Sequence, residues 1–106
     1  METTVIDGNL VMTLELACQS QRDEHIVRGR RLIGEYIASK GVETVETHAF
    51  DHLSLDDDWE FRRLAEIYWE HSPEALDRLI DFGLRSENPE VVEAANDFKN
   101  AEQDAP

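Results

Sequence analysis

Ser72-Pro73-Glu74 and Asn88-Pro89-Glu90 constrain this chain more than any other feature, because each spells the start of a helix. A Ser or Asn side chain accepts a hydrogen bond from an orphan N–H of the first turn. Proline loses nothing at the first helical position, and the glutamate meets the positive end of the helix dipole. Behind Pro73, the residues Leu76, Leu79, Ile80, Gly83 and Leu84 recur at i, i+3, i+4, i+7, i+8, with Glu74, Asp77, Arg78, Asp81 and Arg85 on the opposite arc. Behind Pro89, the inward set is Val91, Ala94, Ala95 and Phe98, and Glu90, Glu93 and Asp97 face away. The link Ser86-Glu87-Asn88 is short enough to predict an antiparallel helical hairpin.

The remaining periodicity is also helical. Phe61, Leu64, Ala65 and Tyr68 form a stripe that Ile67 and Trp69 widen on either flank, predicting a helix to about His71 capped by Ser54 or Asp56. Residues 20–40 predict a helix with Ile26, Ile33, Tyr36 and Ile37 inward, a mixed-charge solvent arc of Glu24, Arg28, Arg31 and Glu35, and Gly41 as its stop. Gly29 and Gly34 inside it each cost about 1 kcal/mol against alanine, which points to a close helix crossing. Val42, Val45, Ala49 and Leu53 predict a short helix over 42–53. Leu10, Val11, Leu14, Ala17 and Cys18 fit a helix capped by Asn9, with a hairpin of Thr3-Thr4-Val5-Ile6 and Asp7-Gly8-Asn9 as the alternative. Residues 100–106 lack an apolar anchor, and they and residues 1–8 are expected to fray. The expectation is an all-α single domain over 1–106, a compact bundle of five or six short helices ending in the hairpin.

Residues 73–99, from Pro-Glu-Ala-Leu-Asp-Arg-Leu-Ile-Asp-Phe through Asn-Pro-Glu-Val-Val-Glu-Ala-Ala, resemble a single HEAT-type helical repeat, chiefly where Pro-Glu-Val precedes the small pair Ala94-Ala95. The resemblance covers about a quarter of the chain, and no second copy follows at the ~40-residue period of such arrays. It implies a structural or self-associating helical module.

Charge separates classes of partner. The 106 residues hold 24 acids and 10 Lys or Arg, for a net charge of -14. A nucleic-acid backbone or an anionic membrane would be repelled. No apolar run reaches the ~20 residues that span a bilayer. Leu16-Ala17-Cys18 faintly resembles a lipid-attachment site, but the preceding segment has Glu2 and Asp7 with no Lys or Arg, and Glu15 breaks the apolar run. A cytoplasmic protein is expected. The single cysteine, Cys18, excludes an intrachain disulfide and a Cys-pair zinc site, and its place on an inward stripe predicts a buried structural thiol. Residues 20–40 balance at +2, whereas residues 41–106 hold eighteen acids against five bases, a balance of -13. A 30 Å length of duplex DNA, about the width of such a domain, carries about 18 charges. An acidic face here would therefore rival DNA for a basic groove.

Chemistry-bearing patterns are sparse. His48 and His52 share a helix face beside Asp51 but lack a third histidine nearby; Glu-x-x-His, nucleophile elbows and phosphate-cradling glycine loops are missing. If Asp56 opened a calcium loop, Phe61 would stand where its glycine belongs. Asp57 and Asp58 suit a helix N-terminus instead. No enzyme, metal or cofactor is expected. The informative residue is Trp59, which falls opposite the Phe61/Leu64/Tyr68 stripe on the arc of Arg63, Glu66 and Glu70. There it lies on the stem of Arg62 or Arg63, stays open to a partner, or folds back over Leu53-Ser54-Leu55. Trp69, about 80° round the helix, is expected to pack on the hairpin.

The leading expectation is a non-enzymatic protein-binding module whose acidic face, with Asp56, Asp57, Asp58, Trp59, Arg63, Glu66 and Glu70, meets a basic protein surface. Its narrower form is a small inhibitor acting as a nucleic-acid mimic over a partner's basic groove. The analogy, from size and charge alone, is to phage-encoded anti-defence proteins and nuclease immunity proteins. The alternative is a self-associating module whose acidity serves solubility.

Overall fold

A computed structural model describes residues 7–104. They form six α-helices and, among the described residues, no strand: α1 (Asp7–Gln19), α2 (Asp23–Lys40), α3 (Glu43–His52), α4 (Asp58–His71), α5 (Pro73–Leu84) and α6 (Pro89–Asp104). The all-α expectation, with its terminal hairpin, holds. Packing contacts fall into two three-helix units, α1–α3 and α4–α6, and the chain passes from the first to the second between Leu53 and Ser54.

In the first unit α1 packs on both α2 and α3. Leu10, Leu14, Ala17 and Cys18 are fully buried, as their spacing predicts. The helix starts at Asp7 rather than after an Asn9 cap, so Asp7-Gly8-Asn9 is helix and not a turn; Thr3–Ile6 of the hairpin alternative lie outside the described residues. In α2, Ile26, Ile33 and Tyr36 are buried, and Gly41 ends the helix at φ 91° with its N–H on Ile37 O at 2.9 Å. The helix opens at Asp23, later than the expected residue 20, after Ser20 Oγ accepts the Arg22 N–H at 3.1 Å. Gly29 explains the anticipated crossing: a Cβ there would lie 2.7 Å from Ala17 N and 2.9 Å from Ala17 Cα. Only a glycine lets the α1 backbone come so near. In α3, Val45 and Ala49 are buried, and Val42 and Leu53 are buried just beyond its two ends.

The second unit is the acidic one, with fifteen acids against five bases over residues 54–106, a balance of -10. The interior is apolar. Phe61, Leu64, Ala65, Ile67 and Tyr68 of α4 are buried, with Ala75, Leu76, Leu79 and Ile80 of α5 and Val91, Ala94 and Ala95 of α6. Ser72 Oγ accepts the Ala75 N–H at 3.4 Å, and Asn88 Oδ1 accepts the Glu90 N–H at 3.0 Å, so both helix starts are built as predicted. The hairpin is antiparallel: Gly83 meets Ala95, and Asp77, nearer the start of α5, meets Glu102 near the end of α6. A Cβ at Gly83 would fall 2.6 Å from Phe61 Cζ and 2.9 Å from Ala95 Cβ, so this glycine is where all three helices converge. Helix α6 continues to Asp104, through residues expected to fray. Partial burial, a hydrogen bond with Asp77 and that residue's charge together raise the Glu102 carboxyl above the ordinary glutamate range. Residues 1–6 and 105–106, also expected to fray, lie outside the described residues.

The two close approaches make a stability prediction. Gly29→Ala and Gly83→Ala each relieve a helical glycine of about 1 kcal/mol. Each also forces a methyl into backbone or into a filled core, at about 1–3 kcal/mol. Urea unfolding should show both variants less stable than the parent. A gain of about 1 kcal/mol in either would mean that those helices stand further apart.

Candidate functional site

The segment leading into α4 determines what the helix presents. Asp57, in extended conformation, accepts the Trp59 N–H at 2.7 Å and the Glu60 N–H at 3.4 Å on one carboxylate oxygen. The cap is therefore Asp57, not Ser54 or Asp56 as the sequence suggests. Ser54 is used otherwise: its N–H donates to Glu60 Oε1 at 2.9 Å, and its carbonyl accepts the Asp57 N–H at 3.0 Å. This turn brings the second aspartate of the run, not the first, to the cap position. Asp58 is the half-buried first residue of α4, facing the positive end of its dipole.

With its apolar stripe buried, α4 turns Trp59, Arg63, Glu66 and Glu70 outward along one line at i, i+4, i+7 and i+11. Trp59 is 51% exposed, and the Arg63 guanidinium carbon stands 4.4 Å from its ring centroid. Of the three placements open to Trp59, the structure shows the stack on Arg63. Arg62 points elsewhere and pairs with Asp97 of α6 at 3.1 Å. Cation–π contact of this kind contributes about 0.5–2 kcal/mol. It favours this orientation of the indole, half of whose surface faces water. Arg63 Nη1 is buried in the arrangement and makes no hydrogen bond. Glu66 and Glu70 are exposed on the same line, with Glu70 Oε1 3.5 Å from His71 Nε2. Trp69 does reach the hairpin, its ring 6.5 Å from that of Phe98, yet stays 42% exposed.

The seven residues singled out in the sequence thus divide. Trp59, Arg63, Glu66 and Glu70 share a face. Asp57 is consumed in capping. Asp56 is exposed, and its backbone carbonyl accepts Asn88 Nδ2 at 2.6 Å. That long-range bond sets Asp56 beside an open depression that Phe82, Arg85, Ser86, Glu87 and Asn88 also line. Periodicity could not reveal this, because the link joins residues 32 apart through a side chain already recognisable as a cap.

Elsewhere, His48 and His52 stack with centroids 6.0 Å apart, and His48 Nδ1 lies 2.9 Å from Thr44 O. No group of three His, Cys, Asp or Glu side chains among the described residues is placed to share a metal ion. No helix among them is long and apolar enough to cross a membrane. Comparison with protein-family models, with curated protein sequences and with solved structures finds no match.

The division of the aspartates is testable by stability alone. Asp57→Ala should cost about 1 kcal/mol, the usual loss of a helix cap. Asp56→Ala should stay within about 0.5 kcal/mol, because its hydrogen bond uses the backbone. Equal losses in chemical denaturation would contradict this assignment.

Proposed function

We propose that the chain is a non-enzymatic protein-binding module whose acidic second unit docks on a basic surface of a partner protein. The observation that carries this reading is Trp59: an indole half open to water, stacked on Arg63, with Glu66 and Glu70 on the same face. An exposed aromatic flanked by charge has the makings of an interface hot spot. The surrounding carboxylates speed encounter with a basic partner and disfavour acidic ones. In its narrower form the module is an inhibitor that occludes a nucleic-acid-binding groove, and DNA would then compete with it for the partner.

A second reading rests on the first unit, where Met12, Val27 and Phe50 are exposed. These side chains favour a structural module that self-associates through apolar contacts.

The deciding experiment captures a partner from the native host and measures its affinity for the parent chain and for two variants, Trp59→Ala and the pair Glu66→Gln/Glu70→Gln. Docking through α4 predicts at least a tenfold loss for Trp59→Ala, about the 1.4 kcal/mol or more of a hot spot. The glutamine pair should show a slower association rate. Parent affinity should fall steeply between 50 and 500 mM salt, as screening shortens electrostatic reach. Unchanged affinity in both variants, with salt-independent self-association in sedimentation, would replace this reading with the second.

A further inference from the structure

We propose that the α5–α6 hairpin is an ionic-strength-sensitive element: its own carboxylates press it apart, and screening by dissolved salt tightens it. This is a property of the free chain and does not depend on what the Trp59 face binds.

The two units carry their surface charge differently. In α2 the exposed row Glu24, Arg28, Arg31 and Glu35 is mixed in sign, and Arg31 Nη1 donates to Glu35 Oε2 at 3.2 Å. Opposite charges three or four residues apart support a helix, and like charges at the same spacing weaken it. The hairpin is built the second way. Glu74, Asp77 and Asp81 follow one another along the exposed arc of α5 at i, i+3 and i+7, and Glu90, Glu93 and Asp97 repeat that spacing along α6. Over residues 73–104 nine acids stand against three bases, a balance of -6, whereas residues 20–40 balance at +2.

Like charges also meet across the hairpin. Asp77 of α5 and Glu102 of α6 lie within hydrogen-bonding reach of each other, and ionising both sets one carboxylate against the other. The cations nearby offset this only in part. Arg62 of α4 pairs with Asp97 at 3.1 Å, Arg78 stands one turn from Glu74, and Arg85 spends its Nε–H on the Asp81 carbonyl at 3.2 Å. What holds the helices together is the apolar seam of Leu76, Leu79, Ile80, Val91, Ala94 and Ala95. Self-repulsion of this kind weakens a compact state. It is also the force that salt removes first, because the screening length falls from about 20 Å at 20 mM to about 4 Å at 500 mM.

The test is hydrogen exchange of the full-length protein at pH 7 in 20 and 500 mM KCl, read separately in each unit. The expected result is a rise of about tenfold in the protection of the Leu79, Ile80, Ala94 and Ala95 amides at the higher salt. The Leu14 and Ile33 amides of the first unit should change by less than about threefold, and they serve as the reference for any general effect of salt. The variant Asp77→Asn/Glu102→Gln removes the facing charges and leaves the apolar seam intact. Its hairpin should be better protected than the parent's at 20 mM KCl and should gain less from added salt. An equal response of the two units, hairpin protection that falls as salt rises, or a double variant with the parent's protection and salt response would each overturn the proposal. No partner protein enters the measurement, so its failure is distinguishable from failure of the Trp59 docking reading.

Discussion

The fit of Phe61 against Gly83 is the contact on which the second unit depends. With hydrogen at Gly83 in place of a side chain, the Phe61 ring reaches the α5 backbone and shares that space with Ala95 of α6. Three helices are thereby locked at one point, and the rotation of α4 about its own axis is set. Once Phe61, Leu64, Ala65 and Tyr68 point inward, Trp59, Glu66 and Glu70 turn to solvent, with the half-buried Arg63 between them. The exposed indole is a consequence of core packing, and the Arg63 guanidinium lies against it.

The same logic accounts for how a unit this acidic keeps a dry interior. Its buried residues are apolar, aromatic or small, apart from Ser72, which caps α5, and the polar atoms buried among them include the Tyr68 hydroxyl and Arg63 Nη1. Most of the carboxylates sit on outer arcs, where water and a few cations moderate their repulsion. The half-exposed Arg62–Asp97 bridge adds at most about 1 kcal/mol. The Asp77–Glu102 pair shows the opposite tendency, two acids brought together at the far end of the hairpin, where partial burial first, and then the hydrogen bond and charge of Asp77, make Glu102 hold its proton more firmly.

Much of the architecture was legible in the sequence because helix periodicity and helix starts are local signals. The Ser72-Pro73 and Asn88-Pro89 starts, the Gly41 stop, the buried Cys18 and the crossing at Gly29 all follow from residues within a turn or two of each other. What local signals could not fix was phase and long-range use. Ser54, Asp56 and Asp57 are all competent caps, and the choice of Asp57 depends on a turn closed by Ser54 and Glu60. The run Asp56-Asp57-Asp58 reads as one acidic patch yet serves three purposes, because Asn88, remote in sequence, takes the first carbonyl and α4 takes the second carboxylate. Trp59 was identifiable as outward-facing from the helical wheel, whereas the wheel alone left Arg62 and Arg63 both within its reach; Arg63 takes the indole and Arg62 pairs with Asp97.

The central claim, that the Trp59 face is where a partner docks, is most directly tested on Trp59 itself. Trp69→Phe leaves Trp59 as the one tryptophan of a chain that has two. Its emission and its quenching by acrylamide can then be followed in the free protein and in the saturated partner complex. Burial at the interface predicts a water-exposed, readily quenched indole in the free chain that shifts to the blue and becomes shielded when bound. Emission and quenching identical in the two states would contradict it.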